Sequence, residues 1–429
     1  MLERIRIENF KSLRSVDVAM APLVVVLGPN AAGKSNFLEA LQLLSKLGSV
    51  RTLDDAFAEL RGYPAEAFAL PPGGLPGLLE RPSASLTLEA DVDPPIVDKS
   101  GSDRLRYRVS IDINPRAGAL SVADEYLTRL NRDGERKDYA RIERMTEVDG
   151  RPTESRSGRL AVRQRNQPGH PRYEDVGLHY TLISDLHYSG HSKYPEFDRI
   201  RAELGSWRTY YLDPRDAMRA AQPPRLVTDI GSRGELLAPF LHRLKSERPS
   251  EFQAVLRGLR SAIPGIDGLD VDLDPQRGTL DIAIRQGGEI FSSRVISEGT
   301  LRVLALCSIA ANPWRSRLVA FEEPENGVHP HRIDTIANLV VNMTRTRRHQ
   351  VVVTTHSPKF AATIASFRRQ PELADRIALL RTRQTDGHTE INRLPDLPLF
   401  DETQIEEALQ DPDDIRRFEM MYSRGWLDG

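Results

Sequence analysis

Leu23-Val24-Val25-Val26-Leu27-Gly28-Pro29-Asn30-Ala31-Ala32-Gly33-Lys34-Ser35 decides how this chain of 429 residues is read. Five consecutive apolar residues closed by Gly-Pro predict a strand buried on both faces in a parallel sheet. Beyond Lys34, Phe37, Leu38, Leu41, Leu44 and Leu47 recur at helical spacing, so strand, glycine loop and amphipathic helix follow in order. Gly28 to Ser35 matches G-x-x-x-x-G-K-[ST] in full. Glycine lets backbone N–H groups wrap a phosphate, and the helix behind them presents its positive N-terminus. Lys34 would neutralise the outer phosphate oxygens, and the Ser35 hydroxyl would take one position on Mg²⁺. A glycine turn that merely feeds a helix is the plainer alternative.

Two later apolar runs end in the same polar fashion. Leu318-Val319-Ala320-Phe321 leads into Glu322-Glu323-Pro324-Glu325, and Val351-Val352-Val353 into Thr354-Thr355-His356-Ser357-Pro358. Open α/β sheets bind ligands at the carboxyl ends of their strands. Glu322 would hold Mg²⁺ and Glu323 would polarise an attacking water, although an acidic turn is also how a solvated helix begins. His356 would reach a γ-phosphate, or it is an ordinary polar turn residue. Ser297-Glu298-Gly299-Thr300 opens a further helical run, LRVLALCSIAA. Ser297 reads as its N-cap, and Glu298 suits the helix dipole. Gly299 is not explained by a cap: glycine weakens a first turn by up to about 1 kcal/mol, so something must approach the backbone closely there. A γ-phosphate would do so.

Around these segments the chain alternates strand and helix patterns, which argues for an α/β core with a parallel sheet. Residues 2–18 read as a pair of strands, and 83–92, 104–113 and 119–130 as three antiparallel strands of a side sheet. Residues 131–204 are polar and lack periodicity, and are expected to be an insertion. Within 151–172 six arginines (151, 156, 159, 163, 165 and 172) face one acid, Glu154, so this stretch would contact nucleic-acid phosphates or is a solvated loop. Lys plus Arg 59 against Asp plus Glu 61 leaves a net charge of −2, which gives no global attraction to nucleic acid or membrane. The longest apolar runs fall well short of the roughly 20 residues that span a bilayer, and the opening MLERIRIENFKS has no signal-peptide core. A single cysteine, Cys307, excludes an internal disulfide and any multi-cysteine metal site. A cytoplasmic location is expected.

In their order along the chain, IRIENFKSL, GPNAAGKSNFLEAL, ISEGTLRVLAL, FEEPENGVHP and TTHSP resemble the ABC-type branch of P-loop ATPases. Within it they resemble the RecF-like, AAA-type ATPases related to SMC-type heads and to the overcoming-lysogenization-defect (OLD) proteins. The resemblance covers residues 1–130 and 205–395, with 131–204 as the insertion and 396–429 as a C-terminal helical tail. It implies an α/β P-loop NTPase of the ABC-ATPase head type: a parallel core sheet, an antiparallel β side sheet and a helical lobe. ATP and Mg²⁺ are the implied cofactors, and two heads would dock head to tail around two nucleotides. Asn30, Gly33, Lys34, Ser35 and Asn36 would then bind nucleotide, with Ser35 and Glu322 on the metal. Ser297 and Gly299 would belong to the signature motif that contacts a nucleotide held by the second subunit. Glu323 would be the general base, residues 326–329 the D-loop and His356 the switch histidine. Glutamate stands at 322 where aspartate is usual, SEGT replaces the glycine-rich transporter signature, and the Q-loop glutamine is left unplaced, Gln42 lying too early on the helix after the phosphate loop. Tyr210-Tyr211-Leu212-Asp213-Pro214-Arg215 resembles a stretch shared among these ATPases, without a role to assign.

The expected function is an ATP-hydrolysing switch in DNA repair, chromosome maintenance or anti-phage defence. An ATP-gated DNA clamp or scaffold with slow hydrolysis is the alternative. A transporter's ATPase subunit is disfavoured, because Ser35 and Ser297 lie much farther apart than in transporters. OLD-type relatives fuse a Toprim nuclease after the head. The stretch beyond His356 is short for one, so a nuclease or other effector is expected as a separate chain.

Overall fold

The computed structural model describes residues 1–95, 104–145, 147–148, 151–152, 158–165, 167–190, 192–314, 316–329, 332–345 and 349–394. The expected tail at 396–429, Glu154, Arg156 and the side chain of Arg151 lie outside the described residues. The chain divides into two compact units, one of Met1–Ala21, Pro29–Trp207 and Arg381–Asp396, the other including Pro22–Gly28 and Arg208–Leu380. Elements are numbered along the chain.

In the first unit an eight-stranded antiparallel sheet runs in the order β11-β10-β7-β6-β5-β4-β1-β2. Its strands are β1 (Leu2–Phe10), β2 (Leu13–Ala19), β4 (Ala84–Val92), β5 (Arg104–Asn114), β6 (Ala119–Leu130), β7 (Ile142–Met145), β10 (Arg159–Gln164) and β11 (Gln167–Asp175). Strand β5 shows why it forms: Leu105, Tyr107, Val109, Ile111 and Ile113 are buried, while the intervening Arg104, Arg106, Arg108, Ser110 and Asp112 are only half-buried. On the polar face, cross-strand pairs such as Arg106–Asp91 and Arg108–Asp124 replace apolar contacts. Helices α1 (Lys34–Leu47) and α4 (Pro195–Leu204) lie against β1 and β5. Short helices α2 (Leu53–Phe57) and α3 (Gly74–Leu79) and a ribbon of β8 (Glu147–Val148) and β9 (Arg151–Pro152) complete this part.

Residues 131–204 differ from the irregular insertion expected. Their strands β7, β10 and β11 continue the same sheet beyond β6. Charged residues occupy core positions there, which hides the periodicity: Arg141 and Glu196 are both almost fully buried and pair at 3.1 Å, and Arg199 and Glu203 are buried beside them on α4.

The second unit carries the parallel sheet that the alternation predicts. Strands β12 (Arg208–Tyr210), β16 (Leu318–Glu322), β17 (Gln350–Thr355) and β3 (Leu23–Leu27) are parallel neighbours in that order. Strand β18 (Ile377–Thr385) follows β3 in the sheet and hairpins into β19 (His388–Leu394), which belongs to the first unit. All five residues of β3 are buried, each worth roughly 1.5–3 kcal/mol on leaving water. Helices α5 (Leu237–Glu247), α6 (Pro249–Ala262), α7 (Glu298–Ala310), α8 (Ile333–Arg345) and α9 (Pro358–Ser366) form the helical part. Strands β13 (Ile266–Asp274), β14 (Thr279–Gln286) and β15 (Glu289–Ser292) form a three-stranded antiparallel sheet. Among the described residues no helix is long and apolar enough to cross a membrane.

Glu125 on β6 is fully buried and ties the 181–184 turn to the sheet. It accepts from the Tyr107 hydroxyl at 3.0 Å and from the backbone N–H groups of Leu182 at 2.7 Å and Ile183 at 3.1 Å. Burial pushes its carboxyl from 4.5 up to about 7 against the pull of those donors. A carboxyl raised in this way binds its proton more tightly folded than unfolded, so its contribution is greatest below about pH 4.5 and is lost as pH rises through 7. Glu125→Gln should cost about 1–3 kcal/mol at pH 5, because Leu182 N–H loses its acceptor. It should also flatten the fall in Tm between pH 5 and 8. Thermal melts at the two pH values check both, and an undiminished slope would refute the assignment.

Candidate nucleotide site

Chain continuity carries β3 from the second unit straight through Gly28 into the loop of the first. The loop turns through left-handed backbone at Ala31 (φ 63°) and Gly33 (φ 87°). A Cβ on Gly33 would lie 2.0 Å from Thr389 Oγ1, so only glycine fits. Thr389, buried on β19, meets Ser12 Oγ at 2.6 Å, donates its N–H to Ser12 O at 2.9 Å, and Ser12 Oγ accepts from Asn36 Nδ2 at 2.7 Å. Ser12 and Thr389 are thus the loop's buttress, from segments the motif did not include. Asn36, expected on the nucleotide, braces the loop through Ser12.

Lys34 is buried and curls back so that Nζ donates to Pro29 O at 2.8 Å. No side chain caps the start of α1 at Gly33, and Asn30 and Ala31 at the loop tip are exposed. An uncapped helix start behind a left-handed glycine, with a lysine folded over the loop, is an arrangement able to cradle an anion. Below it α1 is fixed by Glu39, buried and paired with Lys11 and with Arg61 at 2.6 Å.

In the second unit the strand ends align. Leu27 pairs with Thr355, and Glu322 with Thr354, so β3, β16 and β17 stop at one edge. Immediately after β16, Glu323 adopts a left-handed φ of 46°, unusual for a side chain of this size. It is held there because its N–H reaches Thr354 O at 3.1 Å and lies 3.3 Å from Thr354 Oγ1. Its Oε1 lies 2.8 Å from His356 Nδ1. The two expected catalytic residues are therefore brought into contact, both partly open to solvent. Turns from Glu323 O to Asn326 N and from Glu325 O to Val328 N carry the chain away from this edge, leaving Asn326 and Gly327 exposed.

Glu325 is buried beneath the pair and accepts from Thr355 Oγ1, while its Oε2 has no hydrogen-bond partner among the described residues. Burial pushes its carboxyl up to about 7. Arg302 on α7 is buried as well; burial lowers its guanidinium from its ordinary value, opposed by Glu325, Glu298, Glu323 and Asp213 in turn. This arginine sits inside an otherwise apolar helical run that is buried nearly all round.

Ser297 does cap α7, accepting from Thr300 N at 3.2 Å. Gly299 has a nearer explanation than the γ-phosphate expected: a Cβ there would lie 3.1 Å from Gly327 O and 3.6 Å from Val328 Cα. The helix start packs on the 327–328 backbone of its own chain, and that contact favours glycine. Four expected site residues, Ser297, Gly299, Glu323 and His356, thus lie on three segments of one unit, with Glu322 at the end of β16.

Gly33→Ala should remove nucleotide binding while the chain still folds, because the left-handed turn and the Thr389 contact cannot both persist. A fluorescent-nucleotide titration should show a loss of at least about tenfold, equivalent to about 1.4 kcal/mol. Wild-type affinity in this variant would refute the cradle.

Residues 23–362, well over half of the chain, match the family described as "AAA domain, putative AbiEii toxin, Type IV TA system". Over 63 residues the chain is 35% identical to the OLD nuclease of Thermus scotoductus (strain ATCC 700910 / SA-01), which is 15% of this chain and 10% of that protein. The match thus spans about a tenth of that relative's length. Among solved structures, an Smc head bound to the C-winged helix domain of ScpA aligns with a TM-score of 0.52 at 14% identity, covering 92% of this chain and 98% of that one. An Smc head with an extended coiled coil, bound to the C-terminal domain of ScpA from Pyrococcus furiosus, covers 96% and 99% at 13% identity with a TM-score of 0.49. At such identity the first of these likenesses establishes the fold. The chain belongs to the AAA-domain family whose model spans residues 23–362, and its fold is that of an Smc head, the ABC-type P-loop head.

Proposed function

We propose that this protein is an ATP-hydrolysing switch that works as a head-to-tail dimer, in DNA maintenance or anti-phage defence, with a separately encoded effector. The observation that carries the reading is the Glu323–His356 contact at the carboxyl edge of the parallel sheet, the edge from which β3 runs into the phosphate loop. ATP would lie on Pro29–Ser35, with Lys34 turning from Pro29 O to the phosphates. Ser35 and Glu322 offer a hydroxyl and a carboxylate, hard oxygens of the kind Mg²⁺ takes, and the ion would neutralise charge on the transferred phosphoryl group.

Glu323 supplies the base. With Nδ1–H of His356 donating to Oε1, the carboxylate is held in one orientation and Oε2 remains to accept a proton from water. The left-handed turn at 323 fixes the backbone of that base, and the hydrogen bonds from Glu323 N to Thr354 offset its strain. Ser297 and Gly299 would meet the γ-phosphate of the partner copy's nucleotide, so the site is completed only by dimerisation.

The clamp alternative rests on the arginine-rich stretch, in which Arg159, Arg163 and Arg172 are paired with Asp175 at 3.1 Å, Glu143 at 2.6 Å and Glu174 at 3.0 Å.

Glu323→Gln should bind ATP and accumulate as a dimer with turnover reduced by about 100-fold or more. Lys34→Ala should lose nucleotide binding and remain monomeric. Light scattering with and without ATP and Mg²⁺, alongside phosphate release, tests both. Turnover at the wild-type rate in Glu323→Gln would remove the assigned base.

A further inference from the structure

The Tyr210–Arg215 stretch takes no part in the hydrolysis proposed above, yet it is built against the start of α7. Tyr210 is buried and stacks on Phe321 with ring centroids 5.4 Å apart. Asp213 closes the following turn by accepting from Arg215 N at 3.2 Å and Asp216 N at 3.1 Å, and its other oxygen pairs with Arg233. Arg219 staples this loop to the residues preceding Ser297, donating to Pro214 O at 2.8 Å, to Arg294 O and to Ile296 O at 2.7 Å. Arg302 reaches Leu212 O at 3.3 Å from α7. Three arginines thus spend their donors on fixing the loop.

Arg215 does not. Its side chain is 77% exposed, and among the described residues only Nε is engaged, with Glu298 Oε1 at 2.8 Å. Such an exposed ion pair adds little stability, so fold maintenance does not account for a braced loop that ends in it. The position does have an electrostatic logic. Glu298 is adjacent to Ser297, and a bare carboxylate there would repel a triphosphate. A guanidinium beside it cancels that charge, and its two Nη groups keep the paired donors that suit phosphate oxygens.

We infer that Arg215 is a phosphate-binding side chain that acts, with Ser297 and Gly299, on the nucleotide held by a second copy of this chain. Glu298 holds the guanidinium in place until phosphate oxygens take over its donors. This assignment rests on the head-to-tail dimer proposed above.

The test combines Arg215→Ala and Arg215→Lys with the wild-type and Glu323→Gln chains. Affinity of dilute protein for a fluorescent ATP analogue should stay within about twofold in Arg215→Ala, because its own phosphate loop is intact. Its kcat should fall by about 100-fold with KM little changed, and Arg215→Lys should recover part of the loss. In the Glu323→Gln background, Arg215→Ala should raise the protein concentration needed for the ATP-dependent dimer by at least about tenfold, with the nucleotide-free Tm unaltered. If Glu323→Gln dimerises with ATP and Arg215→Ala changes neither that dimer nor kcat, the Arg215 assignment falls while the dimer stands. If Glu323→Gln keeps a monomer's mass in ATP, the dimer reading itself falls and takes this assignment with it.

Discussion

The register between β3, β16 and β17 governs most of what this head can do. Runs such as Leu23–Leu27 and Val351–Val353 are nearly degenerate: slipping one strand past another still presents apolar side chains to both faces. The polar residues at their ends break the degeneracy. Glu323 N donates to Thr354 O, and the buried Glu325 carboxylate accepts from Thr355 Oγ1. A slipped register would strand a buried carboxylate and a backbone N–H, at a cost of several kcal/mol together. The groups proposed for chemistry therefore also select the pairing.

Buried charge recurs as a device in both units. Glu39 under the phosphate-loop helix, Arg141 with Glu196 beneath the extended sheet, and Arg302 near Glu325 are each removed from water. Buried ions are poor sources of net stability, because desolvation offsets most of their attraction, but removing one partner leaves the other exposed to the full cost. They penalise alternative packings more than they reward the native one. In the second unit α7 also meets the carboxylate turn directly, through the Gly299–Gly327 approach.

Several segments were legible because their physics is local. A buried parallel strand, a glycine loop and an amphipathic helix follow from periodicity over a dozen residues, and the 83–130 strands from simple alternation. Residues 131–204 were not, since arginine and glutamate fill core positions there and apolar periodicity carries no trace of charge pairing. The reason for Gly299 was half legible: glycine at a first helical turn does signal a close approach, but the approaching atoms lie some thirty positions on, at 327–328.

By itself the sequence determined the identity and order of the phosphate loop, the carboxylate pair, the capped helix start and the histidine, because each is a short run in which residue type and spacing state the chemistry. Tertiary structure alone decided which of them touch: His356 against Glu323, Thr389 and Ser12 behind Gly33, Gly299 on Gly327, Arg215 on Glu298. Such contacts join residues from tens of positions apart to 377, and pairing over that range is set by register and by the satisfaction of buried polar groups, neither of which leaves a local pattern in the chain.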